Sequence, residues 1–407
     1  MNRIYLDNAA TTKVRPEAIA AMNVALTEVY GNPSSIYEEG ESAKALMEEA
    51  RKRIASCLNA EPSEIYFTSC GSEADNWAIK GAALKYGATK KKIITSKIEH
   101  HAILHTCESL AKQGFEIVYL PVDEYGKVSV EDLKKELDDN TLIVSIMTAN
   151  NEIGTIQPIK EFAAVCKEKK VLFHTDAVQA CGSIKVDVKD MGVDMLSLSG
   201  HKLHAPKGIG LLYIRKGVQI ANFMDGGAQE RRKRAGTENV PYILALAEAF
   251  ELACKEMDES SKRITDIRDS LIKEIEEQIP YCRLNGHRTD RLPGNVNFSF
   301  NFIEGESMLL LLNANGFACS SGSACTSGSL DPSHVLLAIG LKHEVAHGSL
   351  RISIGKFNTK EEVMSIVPVL KGIVQRLRDM SPLYEDFMNG REMQQGTCWR
   401  CGENGCN

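Results

Sequence analysis

Several positions where an apolar run gives way to polar residues carry side chains suited to chemistry. Ser199-Gly200-His201-Lys202 offers an amine that can bond covalently to a carbonyl compound. Asp176, followed by Gln179, offers a carboxylate, and Glu99-His100-His101 offers an imidazole that can carry protons. Asn150-Asn151-Glu152 adds amides. Thr68-Ser69-Cys70-Gly71-Ser72-Glu73 reads as a turn opening a helix, where backbone N–H groups and the Ser72 hydroxyl can hold a phosphate. Taken singly, each has a plain structural explanation. An Asp at a strand end is commonly a helix cap, paired Asn is turn chemistry, and a Gly/Ser turn is a weak motif.

The elements that must position these residues give them joint meaning. Strand-like runs are Glu64–Thr68, Lys92–Ser96, Glu116–Leu120, Leu142–Met147, Val171–Thr175, Met195–Leu198 and Gly210–Ile214. Amphipathic segments such as Ala102–Gln113, Val130–Leu137 and Ile159–Lys169 alternate with them. That alternation predicts an α/β fold with a mostly parallel seven-stranded sheet covered by helices. Ligands of such sheets bind beyond the carboxyl ends of the strands. His100, Asn151, Asp176, Gln179, Ser199, His201 and Lys202 then share one rim with Gly71 and Ser72. Pyridoxal phosphate suits this set. It needs a lysine to bond to, a carboxylate to keep its pyridine nitrogen protonated and a cradle for its phosphate.

A long helical stretch over Pro241–Gln278 is expected next, then a smaller α+β region. Its strands are expected near Val296–Phe300 and Leu350–Ile354, and its helices near Ser307–Asn315 and Lys360–Leu377. The expected division is a large domain over 15–255, a small domain over 1–14 and 256–385, and a flexible cysteine-rich tail over 386–407.

The 407 residues are ample for two cores. The net charge of −6 is spread without a basic block, so neither nucleic-acid binding nor membrane-surface binding is expected. MNRIYLDNAATT has no apolar run and no stretch is long and apolar enough to span a bilayer; a cytoplasmic protein is expected. Of the 12 cysteines, most sit in apolar segments as small hydrophobes. Two groups differ. Cys325 lies among small residues in Ala318–Ser329, and Cys398, Cys401 and Cys406 are spaced C-x-x-C-x-x-x-x-C. The second group can hold zinc or an iron–sulfur cluster, relay sulfur, or be incidental thiols.

Over residues 3–378 the chain resembles the cysteine desulfurases of the nitrogen-fixation and iron–sulfur-assembly type, which have the type I pyridoxal-phosphate transferase fold. The runs Ser-x-His-Lys-x-x-x-Pro-Lys-Gly and Ser-Ser-Gly-Ser-Ala-Cys-Thr-Ser carry the resemblance. So do Tyr5–Thr12, Gly31–Ser35, Phe67–Asn76, Asn150–Gly154, Thr175–Gln179, Gly236-Thr237 and Leu350–Gly355. The chain departs from that pattern with Cys70-Gly71-Ser72 in the phosphate turn, Tyr37 after Asn-Pro-Ser-Ser, and His204-Ala205.

The resemblance implies a homodimeric enzyme that converts L-cysteine to L-alanine. By it Lys202 holds the cofactor covalently, Asp176 pairs with the pyridine nitrogen, and His100 stacks on the ring and carries protons. Asn151 and Gln179 contact the ring oxygen. Gly71, Ser72, Ser199 and His201 hold the phosphate, with Thr237 reaching in from the other subunit. Arg351 grips the substrate carboxylate. Cys325 takes the substrate sulfur as a persulfide and can serve as a transient iron–sulfur ligand. The acceptor is then an iron–sulfur scaffold or a tRNA-thiolation enzyme. A selenocysteine lyase, an aminotransferase on the same fold and a non-catalytic sulfur-trafficking scaffold are the alternatives.

Overall fold

The computed structural model describes residues 3–321 and 332–390. Its strands are β1 (Ile4–Tyr5), β2 (Ile65–Thr68), β3 (Lys92–Ser96), β4 (Glu116–Leu120), β5 (Thr141–Ser145), β6 (Leu172–Asp176), β7 (Met195–Ser199), β8 (Gly210–Ile214), β9 (Cys282–Leu284), β10 (Asn295–Phe300), β11 (Phe317–Ala318) and β12 (Ser349–Ser353).

Seven of them form one sheet in the order β2-β8-β7-β6-β5-β3-β4. From β7 to β4 all neighbours are parallel, as expected for strands linked through helices. β8 runs antiparallel between β2 and β7, a reversal that an apolar run does not encode. β3, β5, β7 and β8 are buried at every residue because helices cover both faces, whereas edge strand β4 is partly exposed. One core holds Phe67, Phe162, Phe173 and Phe250; another, against the opposite helices, holds Trp77, Ile93 and Leu212.

A separate core gathers Leu6, Ile267, Leu271, Phe298, Phe300, Ile352 and Leu370. It lies on the antiparallel sheet β12-β10-β9, with β1 paired parallel to β11 beside it. The N-terminal segment joins the two bodies. Asp7 bridges to Ser353 of the smaller one, and Thr12 N–H then bonds His201 O of the larger at 3.0 Å.

The single helix expected over Pro241–Gln278 is instead two, Val240–Lys255 and Met257–Gln278. They meet at Glu256, where ψ is 0°. The Glu256 carboxylate takes Arg15 at 3.1 Å and also Lys356, so the break is tied from both sides. The first helix buries Leu246 and Phe250 in the large core; the second buries Leu271 and Ile275 in the small one. Continuous amphipathicity hid this change of core. At the other end, a helix over Pro382–Met388 extends past residue 385, where the tail was expected to start.

Before Thr237 the backbone is strained. Glu230, Arg231 and Arg232 have φ of 43°, 56° and 66°, a left-handed region unfavourable for side chains with a Cβ. A buried ion pair holds them there. Arg51 donates to Glu230 Oε2 at 2.9 Å and Oε1 at 2.7 Å, and Phe67 N–H donates to Oε2 at 2.8 Å. Arg51→Ala strands this buried carboxylate and is expected to cost about 3–5 kcal/mol in urea unfolding followed by circular dichroism. Arg51→Ala/Glu230→Ala should cost less than the sum of the single changes. A loss below about 1 kcal/mol in Arg51→Ala would remove the pair from this role.

Candidate active site

At the carboxyl ends of β3, β5, β6 and β7, facing the Gly71–Tyr86 helix start, lies a cavity of about 350 Å³. Its wall includes Gly71, Ser72, His100, Asn151, Asp176 and Gln179. It also includes Ser199, His201, Lys202 and Arg351. These are the residues expected on one rim, with Arg351 added from β12 of the smaller body. Thr237 is exposed and does not line this cavity of its own chain.

Lys202 closes a one-turn helix immediately after β7. Its Nζ donates to Ala9 O at 2.6 Å and Ala10 O at 2.8 Å. Gln179 Nε2 also donates to Ala9 O, at 3.0 Å. The N-terminal run Asn8-Ala9-Ala10-Thr11-Thr12 therefore forms part of the wall, which residue-type reasoning missed because its contribution is backbone. Small side chains at Ala9 and Ala10 suit such close approach. His201 Nδ1 meets Thr11 Oγ1 at 3.1 Å, and Thr12 Oγ1 donates to His201 O at 2.9 Å.

Asp176 ends β6 and is buried. Burial raises its carboxyl to about 6, opposed by the Val178 N–H, at 2.8 Å from Oδ1, and by Lys202. His100 caps the helix His101–Ala111, its Nδ1 accepting Ala102 N–H at 3.1 Å. Nδ1 as acceptor puts the proton of the neutral ring on Nε2. Burial, then Lys202, lowers His100 to about 4, so the neutral form prevails at pH 7. His201 is likewise lowered to about 4 by burial and then Lys202.

The phosphate turn has a steric signature. A Cβ on Gly71 would lie 2.8 Å from Val178 Cγ2 and 3.3 Å from Ser199 Cβ. Glycine is thus required where the 16-residue helix Gly71–Tyr86 presents its N–H groups beside Ser72 and Ser199. An amine, a buried carboxylate and an anion-binding helix start facing one cavity form a donor set that fits pyridoxal phosphate.

Asn151 is set by Asn150, whose Oδ1 accepts Glu152 N–H at 2.8 Å and Ile153 N–H at 2.9 Å. Arg351 is buried. Its Nη1 donates to Asn151 O at 3.2 Å and its Nη2 pairs with Asp7 Oδ1 at 2.9 Å. Its buried Nε has no partner among the described residues. The guanidinium is thus oriented into the wall by Asp7, a contact with no signal in local sequence.

His101 and Glu152, from the strand-end runs noted above, also line the cavity, and so do Asp75 and His334, which were not anticipated. Burial, then the nearby Asp176, holds Asp75 well above the ordinary carboxylate range. Glu152 rises to about 7 through burial, against a hydrogen bond from Ser333 Oγ and the charge of Arg351.

Cys325, Cys398, Cys401 and Cys406 lie outside the described residues. The described chain on either side of Cys325 is anchored at this cavity. Ser320 bonds the Arg351 backbone in both directions, at 3.3 and 2.7 Å; Ser333 bonds Glu152, and His334 Nε2 meets Glu99 O at 3.0 Å. Cys319 is nearby, but burial pushes its thiol up to about 12, which leaves it a poor thiolate nucleophile. No group of three or more His, Cys, Asp or Glu suited to a metal occurs among the described residues. None of the described helices is long and apolar enough to cross a membrane.

The model of the aminotransferase class-V family matches residues 4–366. A cysteine desulfurase IscS of Methanosarcina thermophila is 57% identical over 380 residues, 93% of this chain and 94% of its own. A cysteine desulfurase IscS of Clostridium botulinum (strain Hall) is 55% identical over 398 residues, 96% of this chain and 100% of its own. Among solved structures, a NifS-like protein superposes with a TM-score of 0.87 at 40% identity, covering 92% of this chain and 100% of its own.

The electrostatics of Glu152 give a signed test. Its folded pKa is raised, so the native state holds an extra proton between the ordinary 4.5 and about 7. The associated stability is full below that window and is lost as pH rises through it, by roughly 3 kcal/mol. Glu152→Gln removes this loss. In urea unfolding, the variant should gain on wild type by about that amount between pH 4.5 and pH 8. A pH-independent difference would show that Glu152 is not protonated in the fold.

Proposed function

This chain belongs to the aminotransferase class-V family and, within it, to the cysteine desulfurases, and from that premise we propose which of its residues do the work. It is a pyridoxal-phosphate-dependent cysteine desulfurase acting on L-cysteine. The observation that carries the assignment is that Lys202, Asp176, His100 and Arg351, from four separate segments, wall one cavity.

When bound, pyridoxal phosphate supplies an electron sink that labilises bonds at the substrate's α and β carbons. Lys202 would hold it covalently, and the carbonyls of Ala9 and Ala10 accept from that amine when it is free. Asp176 presents a buried carboxylate to the pyridine nitrogen. Gly71, Ser72, Ser199 and His201 hold the phosphate, and Asn151 and Gln179 the ring oxygen. His100, a neutral cavity-lining imidazole at pH 7, would face the bound cofactor and move protons through Nε2. Arg351, aligned by Asp7, binds the substrate carboxylate. The Cys325 thiolate attacks the substrate sulfur; the carbon–sulfur bond breaks, a persulfide forms on Cys325, and the remaining carbon skeleton leaves as alanine.

The active form is a cytoplasmic homodimer in which the exposed Thr237 completes the partner's phosphate site. Sulfur passes to a protein acceptor, an iron–sulfur scaffold or a tRNA-thiolation enzyme, with Cys325 as a transient cluster ligand. For Cys398, Cys401 and Cys406 the readings to be tested are a zinc or iron–sulfur site completed by a fourth ligand from elsewhere, a persulfide relay from Cys325, or incidental thiols. Relatives named as cysteine desulfurases over nearly the full chain do not favour a selenocysteine lyase or a scaffold without catalysis.

Lys202→Ala is expected to abolish covalent attachment, read as loss of a borohydride-fixed cofactor on peptide mapping; a label on another lysine would overturn the assignment. Arg351→Gln should raise the KM for L-cysteine by roughly 10- to 100-fold, and an unchanged KM would remove Arg351 from substrate binding. Cys325→Ser should keep the cofactor and its visible spectrum but release alanine only at the background rate. Wild-type alanine release from that variant would move the nucleophile elsewhere. Metal analysis tests the tail: near-stoichiometric zinc or iron should vanish in Cys398→Ser/Cys401→Ser.

A further inference from the structure

A second pair of thiols lies away from the cofactor cavity. Cys57 is the penultimate residue of the helix Glu38–Leu58, and Cys254 that of the helix Val240–Lys255. Arg53 pairs with Glu248 and Glu251 across these two helices, one turn before the thiols, so the register of the packing sets Cys57 opposite Cys254. Both pack against the large core yet remain partly exposed, on the wall of an open cleft of about 740 Å³ that also presents Arg53, Lys185 and Glu251. Small solutes can therefore reach both thiols.

Their environment differs from that of the other cysteines. Burial pushes Cys107, Cys166 and Cys319 up to about 12, and Cys282 to about 11. Cys254 moves the other way, chiefly through its interaction with Cys57. Cys57 is raised, first by the same interaction. One thiolate-biased sulfur held against one protonated sulfur is the arrangement that two-electron oxidation needs.

We propose that Cys57 and Cys254 form a redox dithiol site that a small two-electron oxidant, such as hydrogen peroxide, closes to a disulfide. The Cys254 thiolate attacks a peroxide oxygen; the O–O bond breaks, hydroxide leaves, and Cys254 becomes a sulfenic acid. Cys57 then attacks the Cys254 sulfur, forming the S–S bond as the sulfenic oxygen leaves with the thiol proton as water. The two sulfurs are together oxidised by two electrons and the peroxide is reduced by two. The bond would tie the ends of both helices two residues before Glu256, whose carboxylate holds Arg15 and Lys356. Closing so long a span of chain reduces unfolded-state entropy, so the oxidised form should melt a few degrees higher.

The test uses the full-length wild-type holoenzyme, treated with graded hydrogen peroxide and alkylated with iodoacetamide. Mass spectrometry of its unreduced peptides should find Cys57 linked to Cys254 at low peroxide doses, with dithiothreitol restoring both free thiols and the original Tm. Cys57→Ser should instead trap Cys254 as a sulfenic acid that dimedone labels. The proposal is overturned if both cysteines are alkylated in wild type after peroxide has oxidised other thiols. It is equally overturned if Cys254 gains oxygen in wild type without forming the cross-link.

Discussion

A lysine ammonium within a partly closed cavity must be met by acceptors, or its desolvation will oppose folding. At Lys202 two backbone carbonyls, Ala9 and Ala10, meet it. Much of the site depends on this interaction. To place the carbonyls, the N-terminal segment must leave the small sheet at Asp7, pass over the cavity and dock on His201 through Thr12. The same passage gives Gln179 its acceptor at Ala9 O and places Asp7 where it aligns Arg351. One short segment thus couples Lys202 to Arg351, although 149 positions separate them.

A second constraint is the number of acids buried around this cavity. Asp75, Glu99, Glu152 and Asp176 are all buried, and four adjacent carboxylates cannot all stay ionised in a low-dielectric site. The surroundings rank them. Burial holds Asp75 far above its ordinary range and Glu99 at about 8, with Glu152 at about 7 and Asp176 at about 6. Asp176 lies lowest of the three given values because the Val178 N–H and Lys202 favour its charge. Asp176 is therefore the most readily ionised of the three with given values, while burial pushes Asp75 and Glu99 toward the protonated form. His100 and His201 lie on the neutral side for the complementary reason, beside Lys202 and away from solvent.

The described chain on either side of residues 322–331 is tied to the same wall. The chain approaches residue 325 from Ser320, hydrogen-bonded to Arg351, and departs through Ser333, hydrogen-bonded to Glu152. Both anchors belong to residues that line the cavity.

The sequence by itself determined the strand runs, the α/β class and the chemical residues at the strand ends, because period and strand-end chemistry are local properties. Lys202, Asp176, His100 and Gly71 were all legible in this way, and the combination of motifs identified the family. Tertiary structure alone decided what depends on distant pairing. The direction of β8 is invisible in an apolar run, and the break at Glu256 arises from Arg15 and Lys356, each about 100 or more positions away. The roles of Ala9 and Ala10 rest on backbone carbonyls, which every residue type possesses. Asp7 became the partner of Arg351 only when β1 paired beside β11 and residue 7 reached Ser353. The raised carboxyls of Asp75 and Glu152 likewise come from burial, a property of the assembled fold.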